Sequence, residues 1–293
     1  VINGVLPDPR RHAYREGLAA VSLKDHVKAA RYVEGEHRQL TVPVLPVRRE
    51  PRADATLDTE ALFGETLTVF DENEGWAWVQ LARDRYVGYM PSEGLARAVT
   101  TATHRVAALR TYLYPRPDIK SPPLVLLSLN ALLAAAAEEG RFLALENGGF
   151  VVADHARKLD MPATDFVAVA QSFLGTPYLW GGRTSLGIDC SGLVQLASEA
   201  AGLAAPRDTD MQAAELGRPI DWLGGAALAR GDLVFWEGHV GIMASGSELL
   251  HASAHHMAVV VEPFAVAKAR IAATGGDILG VRRLSRVTGQ RGT

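Results

Sequence analysis

Gly187-Ile188-Asp189-Cys190-Ser191-Gly192-Leu193-Val194 is the stretch on which the reading turns. It carries the single cysteine of the chain. Cys190 follows a loop punctuated by Gly181, Gly182 and Gly187. It also opens an apolar pattern, Leu193, Val194, Leu196 and Ala197, that predicts a helix over 190–201 stopped by Gly202. At a helix start the unpaired N–H groups and the helix dipole favour an anion. A thiolate there is expected to have a lowered pKa and to serve as a nucleophile. A lone cysteine is also commonly a small buried hydrophobe, so position alone leaves both roles open.

Two histidines downstream tip the balance. His239 opens an apolar run just after Gly238, and His251 sits inside the next one, Leu249-Leu250-His251-Ala252-Ser253. An imidazole set against a thiol can take its proton and later return it to a leaving amine. A polar residue inside an apolar strand needs a partner. The natural partner for His251 is the second ring nitrogen of His239, in the manner of the third member of a catalytic triad. Zinc is the alternative use of Cys190, His239, His251 and His255 or His256. No second thiol and no HxxxH helix support it, so no metal or other cofactor is expected.

Around these residues the chain reads α then β. Thr164 or Asp165 caps a predicted helix over 166–174, ended by Gly175 and Pro177. Strands are predicted over 232–236, 239–244, 248–252 and 258–262, with Ser245-Gly246-Ser247 as a hairpin turn. The order is that of an α+β domain, and Met161-Pro162-Ala163-Thr164 reads as the linker before it.

Upstream, short strands are predicted over 40–42, 65–70, 76–81 and 86–90, with a hairpin loop over 71–75. Such spacing suits a small barrel. Leu45-Pro46-Val47-Arg48 resembles Leu113-Tyr114-Pro115-Arg116, Trp76-Ala77-Trp78-Val79 resembles Arg141-Phe142-Leu143-Ala144, and Gly88-Tyr89-Met90 resembles Gly149-Phe150-Val151. Two copies of one barrel follow, over 41–99 and 100–158. Residues 132–139, LLAAAAEE, favour helix by intrinsic propensity. The repeat predicts a strand there, and the repeat is preferred. Residues 1–40 read as a lead-in segment that packs on something else, with a short helix around 25–33.

The chain has 293 residues, 48% apolar and 22% charged, with a net charge of −3, as expected of an ordinary multidomain globular protein. That charge balance excludes a nucleic-acid partner of the usual basic kind. One cysteine excludes an intrachain disulfide and a four-cysteine zinc site. No apolar run reaches the roughly 18 residues of a membrane span. Val1-Ile2-Asn3-Gly4 shows no signal peptide, and the chain does not begin with Met, which is compatible with a removed leader.

Six blocks occur in order: GTPYLWGG from Gly175, GIDCSGLV from Gly187, PRDT from Pro206, GDLVF from Gly231, GHVGI from Gly238 and LHA from Leu250. They resemble the NlpC-type cysteine peptidases of bacterial cell-wall turnover. The resemblance implies a papain-like catalytic domain over 159–293, with Cys190 as nucleophile, His239 as base and His251 as the orienting residue. The preceding repeats are similar to bacterial SH3-like barrels. The whole arrangement resembles the γ-D-glutamyl-L-diamino-acid endopeptidases, of the dipeptidyl-peptidase VI type. In those enzymes the first barrel lines the active site, and its Glu and Tyr hold a free N-terminal amine. The matching positions are Glu65 and Tyr89. Asp189, Ser191, Asp208 and Thr209 match substrate-lining positions, with Thr209 standing where Ser is commoner, and Tyr178 is expected beside the nucleophile. Asp189 is alternatively only a helix cap. A buried ammonium requires a carboxylate and further acceptors, and Glu65 or Asp208 can supply the charge.

The expected partner is a small muropeptide, cut after γ-D-Glu to release L-Ala-γ-D-Glu, with the cytoplasm as the expected compartment and the periplasm or exterior as the alternative for a chain that has lost a leader. Rival readings are an amidase acting between the sugar lactyl group and L-Ala, another papain-like acyl transfer, and a wall-binding protein without activity.

Overall fold

The alternation in Thr66-Leu67-Thr68-Val69 sets the first barrel, because it turns Leu67 and Val69 inward along one face of a strand. That strand, Thr66–Asn73, pairs with Trp76–Leu81, and Val87–Pro91, Val44–Arg48 and Leu57–Leu62 follow in turn across a seven-stranded sheet. Its other side is completed by Glu36–Leu40 and Leu95–Ala96. Leu40, Val47, Leu67, Val79, Leu81 and Met90 share one buried core. These coordinates are a computed structural model that describes residues 6–284, in two compact units divided between Asp160 and Met161. The opening residues Val1-Ile2-Asn3-Gly4 lie outside the described residues.

The hairpin loop expected over 71–75 is shorter than predicted. The strands continue to Asn73 and resume at Trp76, and Glu74 and Gly75 alone make the turn, both at positive φ. The helix expected around 25–33 does not form. Arg31–Val33 is instead a strand parallel to Leu18–Ala20, after a single 3-10 turn at Val21–Leu23. Burial overrides propensity here: Ala13, Leu18, Ala20, Leu23 and Val27 pack around Trp78 in a core of their own. Glu36–Leu40, within the lead-in by sequence, pairs with Thr66–Asn73 inside the barrel sheet.

The second barrel repeats the pairing of the first. Arg110–Tyr114 pairs with Val125–Ser128, as Val44–Arg48 does with Leu57–Leu62. Phe142–Leu145 pairs with Phe150–Val152, as Trp76–Leu81 does with Val87–Pro91. Leu132–Leu133 and Ala135–Glu139 are strands, as the repeat predicts against helix propensity. Cross-strand partners decide the outcome: Ala137 pairs with Ala144 and Glu139 with Phe142 around Gly140. Phe63 reaches into this second core. Beside it Gly64 has φ +79, and a Cβ there would stand 2.1 Å from the Leu132 carbonyl oxygen. Gly64→Ala is expected to cost about 1–3 kcal/mol of stability, measured by denaturant unfolding.

The second unit is built on a six-stranded antiparallel sheet, in the order Arg218–Pro219, Gly280–Arg283, Asp232–Trp236, His239–Met243, Glu248–Ser253, Ala258–Pro263. Helix α1, Phe166–Gln171, is capped by Asp165, whose Oδ1 accepts from the Val167 and Ala168 N–H groups. Helix α2, Cys190–Ala200, packs against the strands that carry His239 and His251. Helix α3, Thr209–Glu215, and helix α4, Phe264–Gly275, complete the layer arrangement. The sequence reading did not predict α3, α4 or Gly280–Arg283. Among the described residues no helix is long and apolar enough to cross a membrane.

Candidate active site

Asp189 starts the site. Its Oδ1 accepts from the Gly192 N–H at 2.7 Å and so caps α2, leaving Cys190 as the first helical residue. Its Oδ2 accepts from the Gly181 N–H at 2.8 Å. Arg207 clamps both oxygens, at 2.9 and 2.7 Å, with only 1% of its side chain exposed. Ser191 Oγ donates to Asp189 Oδ1 and accepts from Arg207 at 2.8 Å. Asp189 and Ser191 are therefore buried framework for the helix start. The helix-cap alternative describes Asp189; both residues flank Cys190, and these contacts do not bear on their expected substrate-lining role. The α2 start is also tightly seated, because a Cβ at Gly192 would stand 2.6 Å from the Gly182 carbonyl oxygen.

Cys190 Sγ lies 3.9 Å from the carbonyl oxygen of Gly238, the residue before His239. The thiol is buried. Burial, then the Asp189 carboxylate, push it up to about 11; the Val240 backbone, Arg207 and a hydrogen bond with the Thr209 side chain act in the opposite direction. The expectation of a lowered thiol pKa is thus corrected. Burial disfavours the charged form, so the resting sulfur keeps its proton.

His239 follows the two-residue turn Glu237-Gly238, with Trp236 as its cross-strand partner. Its Nε2 stands 2.8 Å from His251 Nδ1. The strand register explains the contact. Ile242 pairs with Leu250, so carrying the ladder along sets His251 opposite Gly241, with His239 two residues further on the same face. Burial, then His251 and Arg270, hold His239 down at about 3, so it is neutral and can act as a base. His251 Nε2 in turn stands 2.8 Å from Glu262 Oε1.

Tyr178 is half-buried, and burial, then Cys190 and Asp189, push its phenol far above the ordinary range. Thr209 opens α3 next to half-buried Asp208, which stands at the N-cap position without capping the helix through its side chain.

The barrel candidates are otherwise engaged. Glu65 is buried, and both its oxygens accept from Arg83, at 2.9 and 2.7 Å. Its Oε2 also accepts from the Leu62 N–H at 3.1 Å. Arg83 is thus a partner of the carboxylate expected to meet the ammonium. Tyr89 Oη accepts from Arg15 at 2.7 Å, and Arg15 also pairs with Asp71 and lies over Trp78. Glu65 and Tyr89 belong to the first unit and Cys190 to the second. Sequence reasoning missed the clamp role of Arg207 and the presence of Glu262; a lone carboxylate ending the apolar run Ala258-Val259-Val260-Val261 is the signal that marks the latter.

Residues 175–270 match the NlpC/P60 family, and residues 47–95 match the bacterial dipeptidyl-peptidase Sh3 domain. The gamma-D-glutamyl-L-lysine dipeptidyl-peptidase of Bacillus subtilis (strain 168) is 31% identical over 230 residues, covering 68% of this chain and 73% of that protein. The chain belongs to the NlpC/P60 family. It is accordingly a cysteine peptidase with an SH3-like N-terminal part. Dipeptidyl-peptidase 6 of Lysinibacillus sphaericus is 28% identical over 228 residues, covering 70% of this chain and 83% of that one. The crystal structure of an NlpC/P60 family protein from Bacillus cereus ATCC 10987 superposes with a TM-score of 0.70 at 21% identity, over 85% of this chain and 99% of that chain, and supports the fold. The matched region contains Cys190, His239, His251 and Glu262.

Proposed function

We propose that the protein hydrolyses the γ-D-glutamyl bond to a diamino acid, diaminopimelate or L-Lys, in muropeptides with a free N-terminal L-Ala, releasing L-Ala-γ-D-Glu. The observation that carries the reading is the neutral His239, joined at Nε2 to His251, beside the turn that touches the Cys190 sulfur. The name of the Bacillus subtilis relative points to the γ-D-glutamyl bond.

The chemistry follows from the resting protonation. As Sγ forms a bond to the γ-carbonyl carbon, its proton passes to the remaining ring nitrogen of His239, Nδ1. The Cys190 N–H, which has no acceptor within α2, is available to the developing oxyanion. The C–N bond then breaks, and His239 protonates the departing amine. Water, losing a proton to His239, attacks the thioester carbonyl; the acid leaves and the thiol regains its proton. No cofactor enters these steps.

Asp208, beside the Thr209 hydroxyl at the sulfur, is the proposed counter-charge for the free ammonium. Asp208→Asn is expected to lower the kcat/KM ratio between free-amine and N-acetylated L-Ala-γ-D-Glu-L-Lys by about tenfold, on the scale of one charged hydrogen bond lost. An unchanged ratio in a digest followed by mass spectrometry sinks this assignment. A substrate that has already lost its glycan is a product of wall-degrading steps, so the proposed role is trimming or recycling, in the cytoplasm.

A further inference from the structure

His239, His251 and Glu262 lie on one diagonal across three adjacent strands. His251 pairs with Val260 in the ladder, and Glu262 stands two residues along the same face. From this arrangement we infer that Glu262, held by Arg270, is a positioning residue that fixes the proton order of the histidine pair. The inference rests on the cysteine-peptidase reading above and adds a fourth and a fifth residue to it.

Arg270 on α4 donates to both Glu262 oxygens, at 2.7 and 2.5 Å. An ionised carboxylate only accepts, so His251 Nε2, 2.8 Å away, must carry the proton. A neutral His251 then presents Nδ1 as an acceptor. His239 must therefore donate from Nε2 across the 2.8 Å contact. That leaves His239 Nδ1 unprotonated, which is the state a base needs toward Cys190. Without the carboxylate, either proton order satisfies the histidine pair, and one of them puts the proton on the working nitrogen. Arg270 keeps Glu262 ionised, about 2 being its pKa beside that guanidinium and His251. Of the charged groups around the pair, Glu262 raises the imidazole pKa values, and Arg270 and, for His251, His256 lower them.

Glu262→Met keeps the volume and removes the acceptor. It is expected to lower kcat on L-Ala-γ-D-Glu-L-Lys by about 10-fold to 100-fold, with KM within about twofold, as loss of an oriented base requires. The 15N shifts of histidine-labelled protein, assigned with His239→Asn and His251→Asn, should show both rings as Nε2–H in the parent and mixed protonation in Glu262→Met. The acid limb of kcat/KM should move to lower pH in Glu262→Gln, which removes an anion, and to higher pH in Arg270→Met, which removes a cation. These opposite shifts also serve if Glu262→Met fails to fold. A kcat in Glu262→Met within about twofold of the parent, rate loss with both tautomers unchanged, or acid limbs that do not diverge each overturn the inference. A parent that does not cut the peptide overturns the substrate reading instead. The tautomers and the pH dependence of Cys190 alkylation by iodoacetamide then still decide the role of Glu262.

Discussion

Cys190→Ser should leave peptide binding intact and lower turnover by on the order of 10^4-fold or more, the scale seen when a covalent nucleophile is lost from a preorganised site. Serine is close in size, so the buried site is not emptied. Its hydroxyl is a much weaker acid than the thiol, and a neutral His239 held at about 3 is a weak base for it. Single-turnover digestion of L-Ala-γ-D-Glu-L-Lys measures the loss, and calorimetric titration of the same peptide measures the retained binding. Full activity in the variant would remove Cys190 from the mechanism. The parent has its own check in the same residue: one cysteine means that alkylation is read from a single site.

Arg207→Met is expected to destabilise the second unit by about 3–5 kcal/mol, because it leaves the Asp189 carboxylate buried without its counter-charge. The pair is almost wholly out of water, at 1% and 10% side-chain exposure. Asp189 would keep the Gly181 and Gly192 N–H groups, but its buried charge would lack a counter-charge. That loosens the cap that sets Cys190 at the first position of α2. Activity should therefore fall along with the unfolding midpoint. Arg207→Lys should recover only part of either, since a single ammonium cannot span both oxygens. A denaturant curve for Arg207→Met that overlays the parent would show that the clamp contributes nothing.

Particular residues show how far the sequence reaches. The period-two pattern of Thr66–Asn73 and the strand at Trp76–Leu81 were legible because alternation is a local property. Ala135–Glu139 was legible only through the repeat, since its composition alone argues for helix. The start of α2 at Cys190 followed from the glycines before it and the apolar spacing after it. The nearness of His239 and His251 followed from a polar residue in an apolar strand needing a partner. The helix around 25–33 was misread because Leu23 and Val27 are buried against Trp78, a residue far along the chain.

By itself, then, the sequence determined the order of the parts: a lead-in, two SH3-like repeats, and a cysteine before two strand histidines. It did so because glycine, cap and alternation signals act within a few residues. Tertiary structure alone decided what the charges do. Glu65 meets Arg83, Asp189 meets Arg207, and Glu262 meets His251 and Arg270 through pairings set by strand register and helix placement. It also decided the resting state of the thiol. Burial of the sulfur and the Asp189 carboxylate raise the thiol, because desolvation penalises the charged form.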